Sequence, residues 1–596
     1  MPAATVPLAQ YLFTRLSQLG ITAIHGVPGD YNLTLLDHLD AAAGQHWVGN
    51  AAELSAGYAA DGYARTKGFG ALVTCFGVGE LSALNAVAGA YAEKAPVVLV
   101  VGTPPRAAQD ARACLHHTLG DGKPGVFAEM YENVSVAQAV LVDAETATKQ
   151  VDAVLRECVR QSAPVYVAVP MDMVAAAVAA PAAPIDVAVA GGGDAGVEDG
   201  VVRALFGKML GAERPLILVD GFTARFDISD EVNELVAVTG YPTLTTPFGK
   251  SIVRETLPGF CGVYAGLAGD PAHQRWVEGC DLVLRFGPLD SDVNTFGFTA
   301  KPNPGVTVTF ERYSVQMPGD TGASAAATTT TTAVSTKSVL QKLLKRLADS
   351  SCAPLPAPQP FPENRELPRE QLENLSPPSP DSPVAQQSFW PRMSAFLRAG
   401  DVVLTETGTA FYGGQMLALP ENTRLLNSSI WLSIGYALAA TQGVALAQRE
   451  LANSASSSRA PGRTILFEGE GSFQLTAEAV SDIVRNRLDV VIFVLNNNGY
   501  AVERIIHGFH AQYNDVQPWR YLNAPAFFGA PLDDPAYPVT TSRAGTWGEL
   551  EDALGDPRLV EGRGLNVVEV CLGMGDAPAS MVKFAEYLNK RNKGGA

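Results

Sequence analysis

The chain has 596 residues, 47% of them hydrophobic and 17% charged, with 57 Gly, 40 Pro and a formal net charge of -18. That length holds roughly two to four domains, and the composition excludes a fibrous or disordered chain. The acidity argues against nucleic acid as the main partner, because phosphate binding needs basic surface. Seven cysteines without a C-x-x-C pair read as reduced thiols. Residues 1–10 lack the pattern of a secretory signal, and apolar runs such as 95–101 are too short to cross a bilayer. A cytoplasmic protein that binds no membrane is expected.

In chain order, residues 7–20, 53–67 and 81–94 read as helices, and 71–76, 97–101 and 165–169 as strands. This alternation predicts βαβ units and a parallel sheet. An Ala/Pro/Gly-rich connector spans 179–195, and a second block follows with strands at 216–220 and 281–286. Residues 319–336, with five consecutive threonines, are read as a flexible surface insertion. Residues 353–384 contain ten prolines and are read as an extended linker. Residues 451–462 read as a polar surface loop. The expected division is 1–185, 196–350, a Pro-rich linker at 351–385, and 386–596.

The third block carries the strongest chemical signal. An apolar run at 464–467 leads into Gly469-Glu470-Gly471-Ser472, and after 23 residues comes Asn496-Asn497-Asn498-Gly499, at the end of a second run, 490–495. The layout reads as strand, glycine turn, helix, strand. Backbone N–H groups at such a turn can approach a phosphate closely, at the positive end of a helix. Glu470 and Asn497 then offer hard oxygen ligands at neighbouring strand ends, which suits Mg²⁺ between protein and diphosphate.

Further motifs stand at 25–32 (HGVPGDYN), 50–65 (NAAELSAGYAADGYAR), 115–122 (LHHTLGDG), 406–409 (ETGT), 430–435 (IWLSIG), 468–476 (EGEGSFQLT) and 495–508 (LNNNGYAVERIIHG). Together they resemble the thiamine-diphosphate (ThDP) dependent 2-oxo-acid decarboxylases, most closely the fungal pyruvate decarboxylase type. The resemblance implies an α/β fold of three doubly wound parallel-sheet domains, binding the aminopyrimidine, holding the centre, and binding diphosphate and metal. It implies a small 2-oxo acid substrate and the cofactors thiamine diphosphate and Mg²⁺. It also implies a site shared between subunits of a homo-oligomer, usually a tetramer built as a dimer of dimers.

The reaction it implies is non-oxidative decarboxylation of pyruvate to acetaldehyde and CO₂ through a ThDP ylid and enamine, as in alcoholic fermentation. Phenylpyruvate or indolepyruvate decarboxylation, and carboligation of the acetolactate synthase type, are the alternatives. By resemblance, Glu53 pairs with the pyrimidine ring and promotes cofactor deprotonation. Asp30, His116 and His117 handle protons during product release, and Glu503 lies near the substrate carboxylate. Histidine suits that task because its pKa lies near working pH. Ile434 is the wedge that bends the cofactor, the Leu432 carbonyl accepts from its amino group, and Thr407 and Thr409 line the thiazolium and diphosphate side. Gly469, Glu470, Gly471, Ser472, Asn497 and Gly499 bind diphosphate, with Glu470, Asn497 and the Gly499 carbonyl as metal ligands.

The sequence departs from the family pattern in three places. Glu470 stands where aspartate is usual. Phe222 and Thr223 occupy a segment where some yeast-type relatives carry activation cysteines, and Val293 is smaller than the usual aromatic. Phe411, Val502 and Ile506 are expected to narrow the pocket. The remaining histidines, including His25, have no metal-ligand spacing.

Overall fold

The computed structural model describes residues 4–39, 44–186, 195–318, 328–363, 367–454, 462–531 and 533–592. The N-terminal sheet has six parallel strands in the spatial order His46–Gly49, Ala23–Gly26, Gly70–Cys75, Val97–Thr103, Val165–Pro170, Gln138–Val140. Its central run, VVLVVGT, is buried along its whole length, as expected of β-branched residues covered on both faces. Leu12, Leu16, Val151 and Leu155 pack on one face, and Ala56, Ala60, Ala83 and Val87 on the other.

The C-terminal sheet repeats the plan with six parallel strands, Arg424–Leu426, Val402–Thr405, Thr464–Gly469, Val490–Asn496, Leu565–Cys571 and Val539–Ala544. Separate apolar clusters again cover its two faces. The central sheet has seven strands. Five are parallel, from Phe260–Val263 to Thr307–Glu311, and Ser314–Pro318 and Thr328–Thr332 add an antiparallel edge.

That edge corrects the expectation of a flexible insertion at 319–336. The threonine run is a paired strand, and the helix Thr336–Leu347 begins where the insertion was expected to end. Low sequence complexity concealed a stretch of β-branched residues that suits a sheet edge. Residues 319–327 lie outside the described residues, as do 187–194 of the connector and 455–461 of the polar loop. The Pro-rich stretch is not extended throughout, because Pro368–Asn374 is helical with proline at its first position.

The N- and C-terminal units meet where the helices Glu53–Lys67 and Tyr436–Ala452 cross. A Cβ on Gly443 would lie 1.8 Å from the Ala59 carbonyl oxygen, and one on Gly62 would lie 2.3 Å from that of Ala440. Glycine is therefore required at both points of the crossing. No helix among the described residues is long and apolar enough to cross a membrane.

His25 lies fully buried in the strand Ala23–Gly26, edge-on to Tyr63. Burial pushes its pKa down from 6.5 to about 3, so the folded protein holds it neutral. Below 6.5 the unfolded chain binds a proton that the folded chain refuses. Stability is therefore present above pH 6.5 and lost as pH falls toward 3, at up to about 1.4 kcal/mol per pH unit. Measured as urea midpoints against pH, His25→Phe should flatten this part of the acid limb.

Candidate active site

Strands Val402–Thr405, Thr464–Gly469 and Val490–Asn496 lie side by side and parallel, with Gly469 level with Leu495. Their carboxyl ends therefore deliver Thr407, Glu470 and Asn497 to one edge of the sheet, where ligands of open α/β sheets bind. Gly469 caps the short helix Glu470–Leu475. The Glu470 carboxylate is buried and folds back on the asparagine loop: the Gly499 N–H donates to Oε1 at 2.6 Å and the Asn497 N–H to Oε2 at 3.4 Å. Burial raises its pKa, and the Gly499 N–H opposes that rise.

These residues line a cavity of about 410 Å³. Thr407, Thr409, Leu432, Ile434, Gly469, Glu470, Gly471, Ser472, Asn497, Gly499 and Glu503 all face it. Every C-terminal residue singled out in the sequence is therefore brought to one place. Val293, Phe411, Val502 and Ile506 form part of its wall. The sequence reading missed a further wall. The helix Ala579–Asn592 contributes Met581, Phe584, Ala585 and Leu588, whose helical spacing was the available signal.

One polar atom tests whether this edge fits a metal–diphosphate group. Asn497 Oδ1 is buried and lacks a hydrogen-bond partner among the described residues. Buried polar atoms are rarely left unsatisfied, and a hard cation suits this amide carbonyl. Behind it sit two carboxyls that the sequence reading did not single out. Glu406 accepts from the N–H groups of Thr407 and Ala437, and burial pushes its pKa up to about 7. Glu468 is fully buried, and burial with the Glu406 charge raises its pKa well above the usual range.

The loop carrying Leu432 and Ile434 is clamped by the N-terminal unit. Glu93 Oε1 accepts from Ser428 Oγ at 2.7 Å and from the N–H groups of Ser429 at 2.7 Å, Ile430 at 3.1 Å and Trp431 at 3.4 Å. Its other oxygen lies 2.8 Å from Arg65 Nη1, and both side chains are buried. Arg65, Ser428 and these N–H groups hold the Glu93 carboxyl below its usual pKa despite its burial. Leu432 takes a left-handed φ of 55° within this clamp. Removing one partner of a buried ion pair costs about 3–5 kcal/mol. Glu93→Ala should therefore lower stability by that order, read as a chemical-denaturation midpoint, and weaken cofactor binding.

The N-terminal residues form a separate group, and none of them lines the cavity. His116 Nε2 lies 2.6 Å from Asp30 Oδ2, and the His116 ring stacks on Tyr31 at 4.8 Å. The His117 ring stands edge-on to His116 at 4.7 Å. Glu53 opens the helix Glu53–Lys67, half-buried, with Gly79 so close that a Cβ there would lie 3.2 Å from its Oε1. One chain thus carries two separate groups of candidate residues. In the segment 220–226, Phe222 is buried with Lys94 Nζ 5.4 Å over its ring.

Known proteins show the same organisation. Residues 7–124, 202–327 and 407–530 match the N-terminal binding, central and C-terminal binding domains of thiamine pyrophosphate enzymes. The chain is 44% identical to a pyruvate decarboxylase of Aspergillus parasiticus over 97% of this chain and 96% of that one. It is 37% identical to pyruvate decarboxylase isozyme 1 of Saccharomyces cerevisiae, over 98% of this chain and 99% of that one. The fold matches the solved thiamine diphosphate-dependent 4-hydroxybenzoylformate decarboxylase of Rhodococcus jostii RHA1, with TM-score 0.70 and 17% identity over 96% of this chain and 100% of that one. With its three thiamine pyrophosphate domains in order and relatives matched along nearly its whole length, the chain belongs to the thiamine-diphosphate-dependent decarboxylases of the pyruvate decarboxylase family.

Proposed function

We propose that this enzyme decarboxylates a 2-oxo acid, pyruvate, to acetaldehyde and CO₂. The observation that carries the reading is the convergence of Thr407, Gly469, Glu470 and Asn497 on one cavity edge, with Glu503 in the same cavity. Bound thiamine diphosphate supplies the electron sink that no side chain offers for the carbanion left by departing CO₂. Glu470, Asn497 and the Gly499 carbonyl would hold Mg²⁺ against the diphosphate, and Gly469, Gly471, Ser472, Thr407 and Thr409 would line it. Ile434 and the Leu432 carbonyl would set the cofactor's bend and orientation, a positioning effect.

Glu53 would hold and return a proton at the pyrimidine ring. Glu503 would face the substrate carboxylate, where two like charges favour loss of one as CO₂. His116, hydrogen-bonded to Asp30, and His117 would deliver the proton that completes the aldehyde. Because these N-terminal residues do not line their own chain's cavity, a second copy would complete each site. The proposal extends to a cytoplasmic homotetramer, built as a dimer of dimers and serving alcoholic fermentation. The three domains would extend over 1–185, 196–350 and 386–596, joined by 351–385.

The experiment is a coupled assay of aldehyde formation over a panel of 2-oxo acids, with and without thiamine diphosphate and Mg²⁺. Pyruvate should give the highest kcat/KM, and both additives should be required. A higher kcat/KM with phenylpyruvate, or acetolactate as main product, would refute the reading.

A further inference from the structure

The N-terminal cluster holds a group that the proposed reaction does not use. Cys75 Sγ is 5% exposed and lies 3.8 Å from Asp30 Oδ1. Its position is tightly set, because a Cβ on Gly29 would lie 2.7 Å from that sulfur. Asp30, Cys75 and His117 place one carboxylate oxygen, one sulfur and one imidazole nitrogen all within 4.8 Å of one another. Asp30 is exposed, His117 is half-exposed, and the thiol lies beneath them. The trio is thus open on one side and closed on the other.

Sulfur, imidazole and carboxylate together suit a borderline-soft divalent ion that accepts tetrahedral geometry, with ligands at about 2.0–2.3 Å. Neighbouring ligands of such an ion lie about 3.3–3.8 Å apart, which the exposed Asp30 and half-exposed His117 can reach by small side-chain rotations. Mg²⁺ and Ca²⁺ prefer oxygen ligands and would not compete well here. Asp30 keeps its second oxygen on His116 Nε2 at 2.6 Å, which orients the carboxylate from behind.

We propose that Asp30, Cys75 and His117 form an inhibitory site for Zn²⁺ or a similar thiophilic divalent cation. On binding, the Cys75 S–H bond breaks, its proton passes to solvent, and a sulfur–metal bond forms with no change of oxidation state. The bound ion occupies the lone pairs of Asp30 and His117 and removes them from proton transfer. The binding stands apart from the proposed catalysis, whereas the inhibition rests on it.

Two measurements on holoenzyme saturated with thiamine diphosphate and excess Mg²⁺ separate these claims. Co²⁺ titration should produce a near-ultraviolet thiolate-to-cobalt band in the wild type and in Cys114→Ser. The band should be absent in Cys75→Ser, or in Cys75→Ala should the serine variant fold poorly. In pyruvate turnover, with each protein referred to its own zinc-free rate, the Zn²⁺ inhibition constant should rise at least about tenfold on Cys75→Ser. No band in the wild type, or a band that survives Cys75 replacement, overturns the site. A Cys75-dependent band with equal zinc inhibition in both proteins overturns its inhibitory role.

Discussion

Replacing Glu53 with glutamine should reduce aldehyde formation by about 10²–10⁴-fold, the usual contribution of a positioned acid–base group. Glu53 is the first residue of its helix, where the N-terminal dipole favours a negative charge. Gly79 leaves its carboxyl uncrowded. Glutamine has the same shape and can still hydrogen-bond, but it cannot take up and return a proton. The stability change should stay within about 0.5 kcal/mol, as for other substitutions that leave packing intact. Folding and cofactor binding should therefore survive while turnover collapses. Exchange of the C2 proton of bound thiamine diphosphate in D₂O separates this role from a merely structural one. If that proton exchanges in Glu53→Gln as fast as in the wild type, Glu53 does not promote its removal.

The parts of this fold that were legible in the sequence are those governed by local pattern. The helix at 53–67 is marked by an alanine-rich run between polar ends, and its bounds match the structure at both ends. The strands Thr464–Gly469 and Val490–Asn496 contain the apolar runs 464–467 and 490–495, which lead into the glycine turn and the asparagines, so the residues they carry to the sheet edge could be named beforehand. Less legible were residues whose roles depend on distant partners. Glu93 looks like any acidic residue at the end of a helix until the backbone N–H groups of 429–431 close around it. Glu406 and Glu468 stand within visible motifs, but only the parallel pairing of their strands buries both carboxyls behind the cavity. The threonine strand at 328–332 was hidden for another reason: its partner is the short strand Ser314–Pro318, and composition alone favoured a loop.

Glu470 serves the fold and the proposed metal site at once. Its carboxylate accepts from two N–H donors of the asparagine loop, and it lines the same cavity as Asn497, whose Oδ1 has no partner among the described residues. Glu470→Ala removes the charge and leaves those buried N–H groups unsatisfied, at a cost of about 1–3 kcal/mol in the metal-free protein. It also removes one of three proposed protein ligands. Changes that merely disturb the support of a ligand weaken metal binding about 10–100-fold, and losing the ligand itself should do at least as much. Glu470→Asp keeps the charge but shortens the reach by one methylene. It should lose part of the bond to Gly499 and lower the metal-free stability by about 1 kcal/mol, yet retain Mg²⁺. Denaturation without ligands and Mg²⁺ titration of thiamine diphosphate binding distinguish the two variants. Alanine should fail in both and aspartate only in the first. Equal Mg²⁺ dependence in Glu470→Ala and the wild type would show that the ion is held without this carboxylate.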